Sequence, residues 1–335
     1  MSNTCYVGVT MGDPAGIGPE IVCKSLREAA LYEHCCPVVI GSREPIERIL
    51  AVLGYPVTVR TIETPEDGIY NIDTLNLIEL PLDYAYQPGV LDAGNGRAAI
   101  AYMKRAHELL CEGKISAIAC APCHKGAMKL AGSPYTGATE LFAHFAGDVK
   151  TSTVIQQGGC YIFQLTTHVP LKKAIEMLTV ERVRDFIVTS YRTLQAWGIE
   201  HPRLALSGMN PHAGDNGAIG TEDQDILLRA IEEASAEVGF VDGPVAADAV
   251  FMKGYNGCYD GVIGLFHDTV NIAVKLMDNY MPSVVISAGL PFVRTTVAHG
   301  VGYDIAYKGL ANHEKMRNCI IAAAEISARQ NRTNA

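Results

Sequence analysis

Three histidines and two cations in this chain have the types and placement that chemistry needs. His267-Asp268 closes an apolar run, Gly261 to Phe266, and Lys275 and Arg294 follow within the same stretch, Tyr259 to Gly309. His168 follows Leu165-Thr166-Thr167 and stands before Val169-Pro170. His212 lies in the loop Gly208 to Asp215, beside Asn210 and Pro211. Three imidazoles with an open coordination position suit zinc or another borderline divalent ion. The spacings match no short metal motif. For His267 alone the plain alternative is a core histidine beside a solvated lysine and arginine. His107, His144, His201 and His313 read as surface residues.

The elements that must position these groups can be read from apolar runs. Short runs bounded by turn residues read as buried strands, and open α/β sheets place ligands beyond strand ends. Strands are expected at Cys5–Thr10, Cys36–Ile40, Val57–Thr61, Ile115–Ala119 and Arg203–Ser207, and again in the runs before His168 and His267. Helical periodicity covers Ile21–Ala30, Arg97–Cys111, Glu181–Trp197, Gln224–Val238 and Asn312–Gln330. Strands alternate with helices, which predicts an α/β fold of parallel sheets covered by helices. After the first strand comes MGDPAGIGPE, which is neither GxGxxG nor GxxxxGK. Asp13 there is a polar group facing a cleft or a plain turn residue. Cys120-Ala121-Pro122-Cys123-His124-Lys125 has the bare pattern of a redox or haem-attachment motif, but a strand-to-helix loop holding two cysteines explains it as well. Thr139 and Glu140 either cap a helix or offer a hydroxyl and amides to an anion.

Composition excludes other classes. With 335 residues, the chain suffices for two domains or one large one. A formal charge of −9 argues against a nucleic-acid surface, and no apolar run approaches membrane length. The N-terminus has no basic region before an apolar core, so no signal peptide is expected. Ten cysteines at irregular spacings suit a reducing cytoplasm better than a disulfide framework.

The segments MGDPAGIGPE, LDAGNG, TTHVPL, NPHAGDNG with GTE behind it, YDGVIGLFHD and GLPFVRTTVAHG resemble those of the 4-hydroxythreonine-4-phosphate dehydrogenase family over nearly the whole chain. The resemblance implies two α/β/α domains with the active site in the cleft between them, a fold related to isocitrate and isopropylmalate dehydrogenases. The expected division is 1–145 plus 300–335 for the first domain and 146–299 for the second, which would carry most metal and dimer contacts. A homodimer is implied, with a divalent metal (zinc, magnesium, cobalt or similar) held by His168, His212 and His267 drawn from both subunits. The implied reaction belongs to pyridoxine biosynthesis. It is NAD-dependent oxidation of an alcohol β to a carboxylate, followed by decarboxylation. Asp268 or Asp248 would accept the proton or orient a ligand histidine. Thr139, Lys275 and Arg294 match the family's phosphate-binding residues. The family's histidine is replaced by Ala138 and its asparagine by Val285, and its HDQG reads His267-Asp268-Thr269-Val270. Each lost charge-assisted bond to an anion is worth about 1.5–3 kcal/mol. The substrate is therefore expected to be a small anionic hydroxy acid: 4-hydroxythreonine 4-phosphate, threonate or erythronate 4-phosphate, or an unphosphorylated cis-diol carboxylate. A non-catalytic binding protein on the same scaffold is the other class.

Overall fold

A computed structural model describes residues 4–333. In chain order the strands are β1 Tyr6–Thr10, β2 Cys36–Gly41, β3 Thr58–Thr61, β4 Thr74–Glu79, β5 Ala117–Cys120, β6 Ser152–Gln157, β7 Cys160–Gln164, β8 Leu204–Ser207, β9 Val241–Val245, β10 Gly261–Gly264, β11 Val284–Ala288 and β12 Arg294–Thr296. The chain divides into two compact units, one of residues 1–152 with 284–331 and one centred on 153–283. Residues 284–299, expected in the second domain, group with the first because β12 pairs with β5.

In the first unit the strand order is β3-β4-β2-β1-β5-β12-β11, parallel except for β11 against β12. β1 and β2 are apolar without alternation, as strands covered on both faces must be. Val7, Val9, Val38, Val39 and Ile40 are fully buried. The helix expected over Ile21–Ala30 is instead Gly18–Ser25. It starts early because the glycines of the preceding loop allow backbone to meet backbone. A Cβ on Gly18 would stand 2.2 Å from the Met11 carbonyl, and one on Gly16 would stand 2.7 Å from that of Val301. These glycines serve close packing and leave no phosphate cradle.

In the second unit the order is β6-β7-β10-β8-β9, with β7, β10, β8 and β9 parallel. The all-parallel expectation fails at β6, which runs antiparallel to β7. The reason is Gly158-Gly159, both at positive φ, which close a two-residue hairpin. The unit's core joins Ile155, Ile162, Val262, Phe251, Val270 and Val274. Among the described residues, no helix is long and apolar enough to cross a membrane.

Candidate active site

β7, β10 and β8 lie side by side, so their carboxyl ends share one rim of the second unit's sheet. Beyond β7 the chain reaches His168; beyond β10 it reaches His267; beyond β8 it reaches Met209 and Asn210. A cavity of about 470 Å³ opens there, lined among others by Thr166, His168, Asn210, His267, Asp268 and Thr269. Thr166 fixes the first two ends to each other, its hydroxyl donating to the Leu265 carbonyl at 2.6 Å.

The His168 and His267 rings stand 5.3 Å apart, centroid to centroid, at 49°. His267 opens the helix His267–Met277, and its Nδ1 lies 2.8 Å from Oδ1 of Asp268. A carboxylate holding one ring nitrogen leaves Nε2 as the nitrogen for a ligand. His212 does not line this cavity. Among the described residues, no group of three or more His, Cys, Asp or Glu side chains could hold a metal ion within one chain. Two of the three expected ligands therefore meet in one chain and the third stands apart. Asp268 belongs to the cavity. Asp248 does not line it and is exposed at the start of the helix Ala247–Tyr255. Lys275 lies two turns along the helix from His267, exposed, its ammonium without a hydrogen-bond or ion-pair partner among the described residues.

His212 sits in an unusual backbone. Every residue from His212 to Gly217 has positive φ, including the non-glycines His212, Ala213, Asp215 and Asn216. A left-handed conformation costs an ordinary L-residue about 1–2 kcal/mol, less for Asn and Asp. The buried carboxylate of Asp223 opposes that cost, accepting from the Met209 and Asn210 amides at 2.7 and 3.0 Å and from Asn210 Nδ2 at 2.9 Å. In the sequence Asp223 stands only just before the expected helix Gln224–Val238.

The first unit supplies a different feature. Arg294 is 2% exposed and has no carboxylate partner among the described residues. Its Nη1 donates to Thr139 Oγ1 at 3.1 Å and to Ser287 Oγ at 2.9 Å, its guanidinium lies 5.2 Å from the Phe142 ring centre, and its buried Nε has no partner. A buried cation compensated only by hydroxyls and a ring is set up to receive an anion. Thr139 lies in the first turn of the helix Ala138–Phe145, which has no side-chain cap, so neither Thr139 nor Glu140 serves that purpose. Val285 pairs with Thr296 across the β11–β12 hairpin. Alternation then puts Val285 and Ser287 on one face with Arg294 and Thr296. The apolar Val285 thus borders Arg294. Ser287 escaped the sequence reading, because only this register gives it a role.

Other motifs resolve into structural roles. All ten cysteines are free. Burial pushes the Cys123 thiol up to about 11, which disfavours the thiolate that a redox nucleophile needs. His124 caps the helix Lys125–Leu130 through Nδ1, accepting from Gly126 at 3.0 Å. Asp13 is fully buried and accepts from the Ala15 amide at 2.9 Å and the Tyr303 hydroxyl at 2.6 Å. Burial raises its pKa, while these two donors and His124 oppose the rise. Of the histidines read as surface groups, His313 is half-buried against Glu28 at 2.6 Å, and His107 packs on Phe145 and Phe292.

Residues 33–323 match the family model described as pyridoxal phosphate biosynthetic protein PdxA. A relative from Halalkalibacterium halodurans, provisionally named a D-threonate 4-phosphate dehydrogenase, is 38% identical over 98% of both chains. One of the same provisional name from Symbiobacterium thermophilum is 39% identical over 99% of this chain and 100% of its own. The crystal structure of 4-hydroxythreonine-4-phosphate dehydrogenase from Klebsiella pneumoniae superposes with a TM-score of 0.86 at 39% identity, covering 97% of this chain and 99% of that one.

Proposed function

Since this chain belongs to the PdxA family and is a dehydrogenase acting on a hydroxyl group, we propose that it oxidises the secondary alcohol of a four-carbon, 4-phosphorylated hydroxy acid. D-Threonate 4-phosphate is the first candidate and 4-hydroxythreonine 4-phosphate the second. The observation that carries the substrate class is Arg294: a buried guanidinium with no carboxylate partner among the described residues and with the Thr139 and Ser287 hydroxyls beside it. Lys275, exposed and with no ion-pair partner among the described residues, is the second cation proposed for the anion.

NAD, when bound, supplies the hydride acceptor that no side chain provides. A divalent ion, when bound, supplies the Lewis acidity that eases deprotonation of the alcohol and loss of carbon dioxide from the β-keto acid. His168 and His267 fit as two of its ligands, being imidazoles that share one cavity with a carboxylate behind one of them. His212 is proposed as the third, contributed across a homodimer. The exposed Ile272, Leu276 and Tyr280, on and just past the helix that carries His267 and Lys275, support such an interface. Asp268 is proposed to orient His267 and to take the alcohol proton in preference to Asp248, because it lines the cavity. The free cysteines support a reducing cytoplasm as the compartment.

The test follows cofactor reduction by absorbance with D-threonate 4-phosphate, 4-hydroxythreonine 4-phosphate and their unphosphorylated counterparts, with and without added metal. Metal-dependent turnover confined to the phosphorylated acids is expected. Turnover of the plain acids alone would remove the phosphate, and turnover of none would leave a binding protein.

A further inference from the structure

We propose that Asp223 is a positioning residue whose buried carboxylate clamps the left-handed turn that presents His212. The inference rests on the metal-dependent reading above and assigns a role to a residue outside the proposed ligand set.

The turn His212–Gly217 is held in a conformation its own residues do not favour. His212 and Ala213 gain nothing locally from φ of 54° and 53°. The hydrogen bonds inside the turn, Ala213 N to Asn210 O at 3.0 Å and Ile219 N to Gly214 O at 3.0 Å, close it but do not anchor it to the sheet. Anchoring comes from one end. Gly208 N donates to Val245 O at 2.7 Å, and the next two amides, Met209 and Asn210, both point into the Asp223 carboxylate. Asn210 Nδ2 bridges Asp223 and Glu222, at 2.9 Å to each. Asp223 itself is 1% exposed and opens a π-helical turn, Asp223–Leu228, ahead of the helix Arg229–Val238. That wide turn is a departure from regular helix of the kind that recurs at functional sites. The carboxylate therefore fixes the two residues immediately before Pro211-His212, Met209 and Asn210, both of which also line the His168–His267 cavity. A helix cap would need only its own helix's amides. Asp223 instead spends both oxygens on the loop.

Strain held by a remote anchor predicts that loosening the anchor costs ligand placement more than it costs the fold. The experiment measures zinc affinity of the full-length protein by competition with a chromophoric chelator, beside thermal unfolding of the metal-free protein. Asp223→Asn, which keeps the shape and one acceptor, is expected to weaken zinc by roughly 10–100-fold, the range for a lost outer-shell partner, and to lower metal-free stability as well, since one loop amide is left facing a buried NH2 group. Adding Ala213→Gly to that variant, which makes the left-handed turn easy again, is expected to restore most of the affinity. A purely structural Asp223 would show no such rescue. Should Asp223→Asn fold poorly, Ala213→Val strains the turn with the clamp intact and is expected to weaken zinc similarly. Zinc affinity of Asp223→Asn equal to wild type, with His212→Ala weaker, overturns the clamp and leaves the metal reading standing. Wild-type zinc binding no better than that of His212→Ala overturns both.

Discussion

Replacing Arg294 by methionine separates a binding role from a structural one. Among the described residues, Arg294 is buried without a carboxylate partner and its Nε has no hydrogen-bond partner. Burying a charge costs several kcal/mol, and an unmade buried hydrogen bond adds about 1–3 kcal/mol. Against this stand two bonds from Nη1 to Thr139 and Ser287, each worth about 1.5–3 kcal/mol, and the Phe142 ring contact at about 2 kcal/mol. The two sides nearly cancel. Methionine, of similar length and uncharged, should therefore leave the anion-free protein within about 1–2 kcal/mol of wild type. The anion is affected differently. Each charged bond to it lost with Arg294 removes about 1.5–3 kcal/mol, so KM for the phosphorylated acid should rise roughly ten- to hundredfold per bond. Two measurements decide the matter: steady-state KM, and thermal unfolding with and without millimolar inorganic phosphate. Wild type should gain stability from phosphate and Arg294→Met should not. A variant that unfolds far below wild type without phosphate, yet keeps its KM, would show that Arg294 merely holds Thr139 and Ser287 in place.

Ala138→His restores the imidazole that the family places beside Thr139, and should raise kcat/KM for 4-hydroxythreonine 4-phosphate by about 1.5–3 kcal/mol, roughly ten- to hundredfold; no change would mean that other donors already hold the phosphate. Asp13 titrates above the ordinary aspartate range because it is buried, so the folded state holds its proton at pH values where the unfolded chain has released it. Wild-type stability should accordingly fall relative to Asp13→Asn as pH rises from about 4 towards that raised value, and run parallel above it, as read by urea unfolding across pH.

Much of the site was legible because buried parallel strands are apolar and end abruptly. The runs before His168 and His267 therefore announced where the sheet stops and the cavity between them opens. The order of those strands in space was not legible. β7 and β10 are neighbours although β8 and β9 lie between them in sequence, and no local pattern encodes that crossing. It decides that His168 meets His267, and that the loop after β8 brings Asn210 to the cavity without His212. The same limit hid Ser287. Its identity is ordinary, and only the hairpin register that pairs Val285 with Thr296 sets it against Arg294.

The two departures from the family pattern gain weight from this register. Val285 shares a face with Arg294, and Ala138 precedes Thr139 at the helix start, so both substitutions border the same guanidinium. Neutral donors have been removed around an intact charge. A guanidinium that keeps its charge while its neighbours lose their hydrogen-bond donors still selects an anion, since a charge-assisted bond outweighs any single neutral one. What it loses is discrimination among tails, because discrimination comes from groups that must be satisfied when the right substrate is bound. If Arg294 holds the substrate's anion as proposed, its surroundings demand a charge and tolerate variation beside it. The choice between a C2 hydroxyl and a C2 ammonium would then be made elsewhere. Asp268, in the His168–His267 cavity, is a carboxylate able to discriminate between them. Asp268→Asn should then alter the ratio of kcat/KM for threonate 4-phosphate over 4-hydroxythreonine 4-phosphate, whereas Arg294→Met should lower both in proportion.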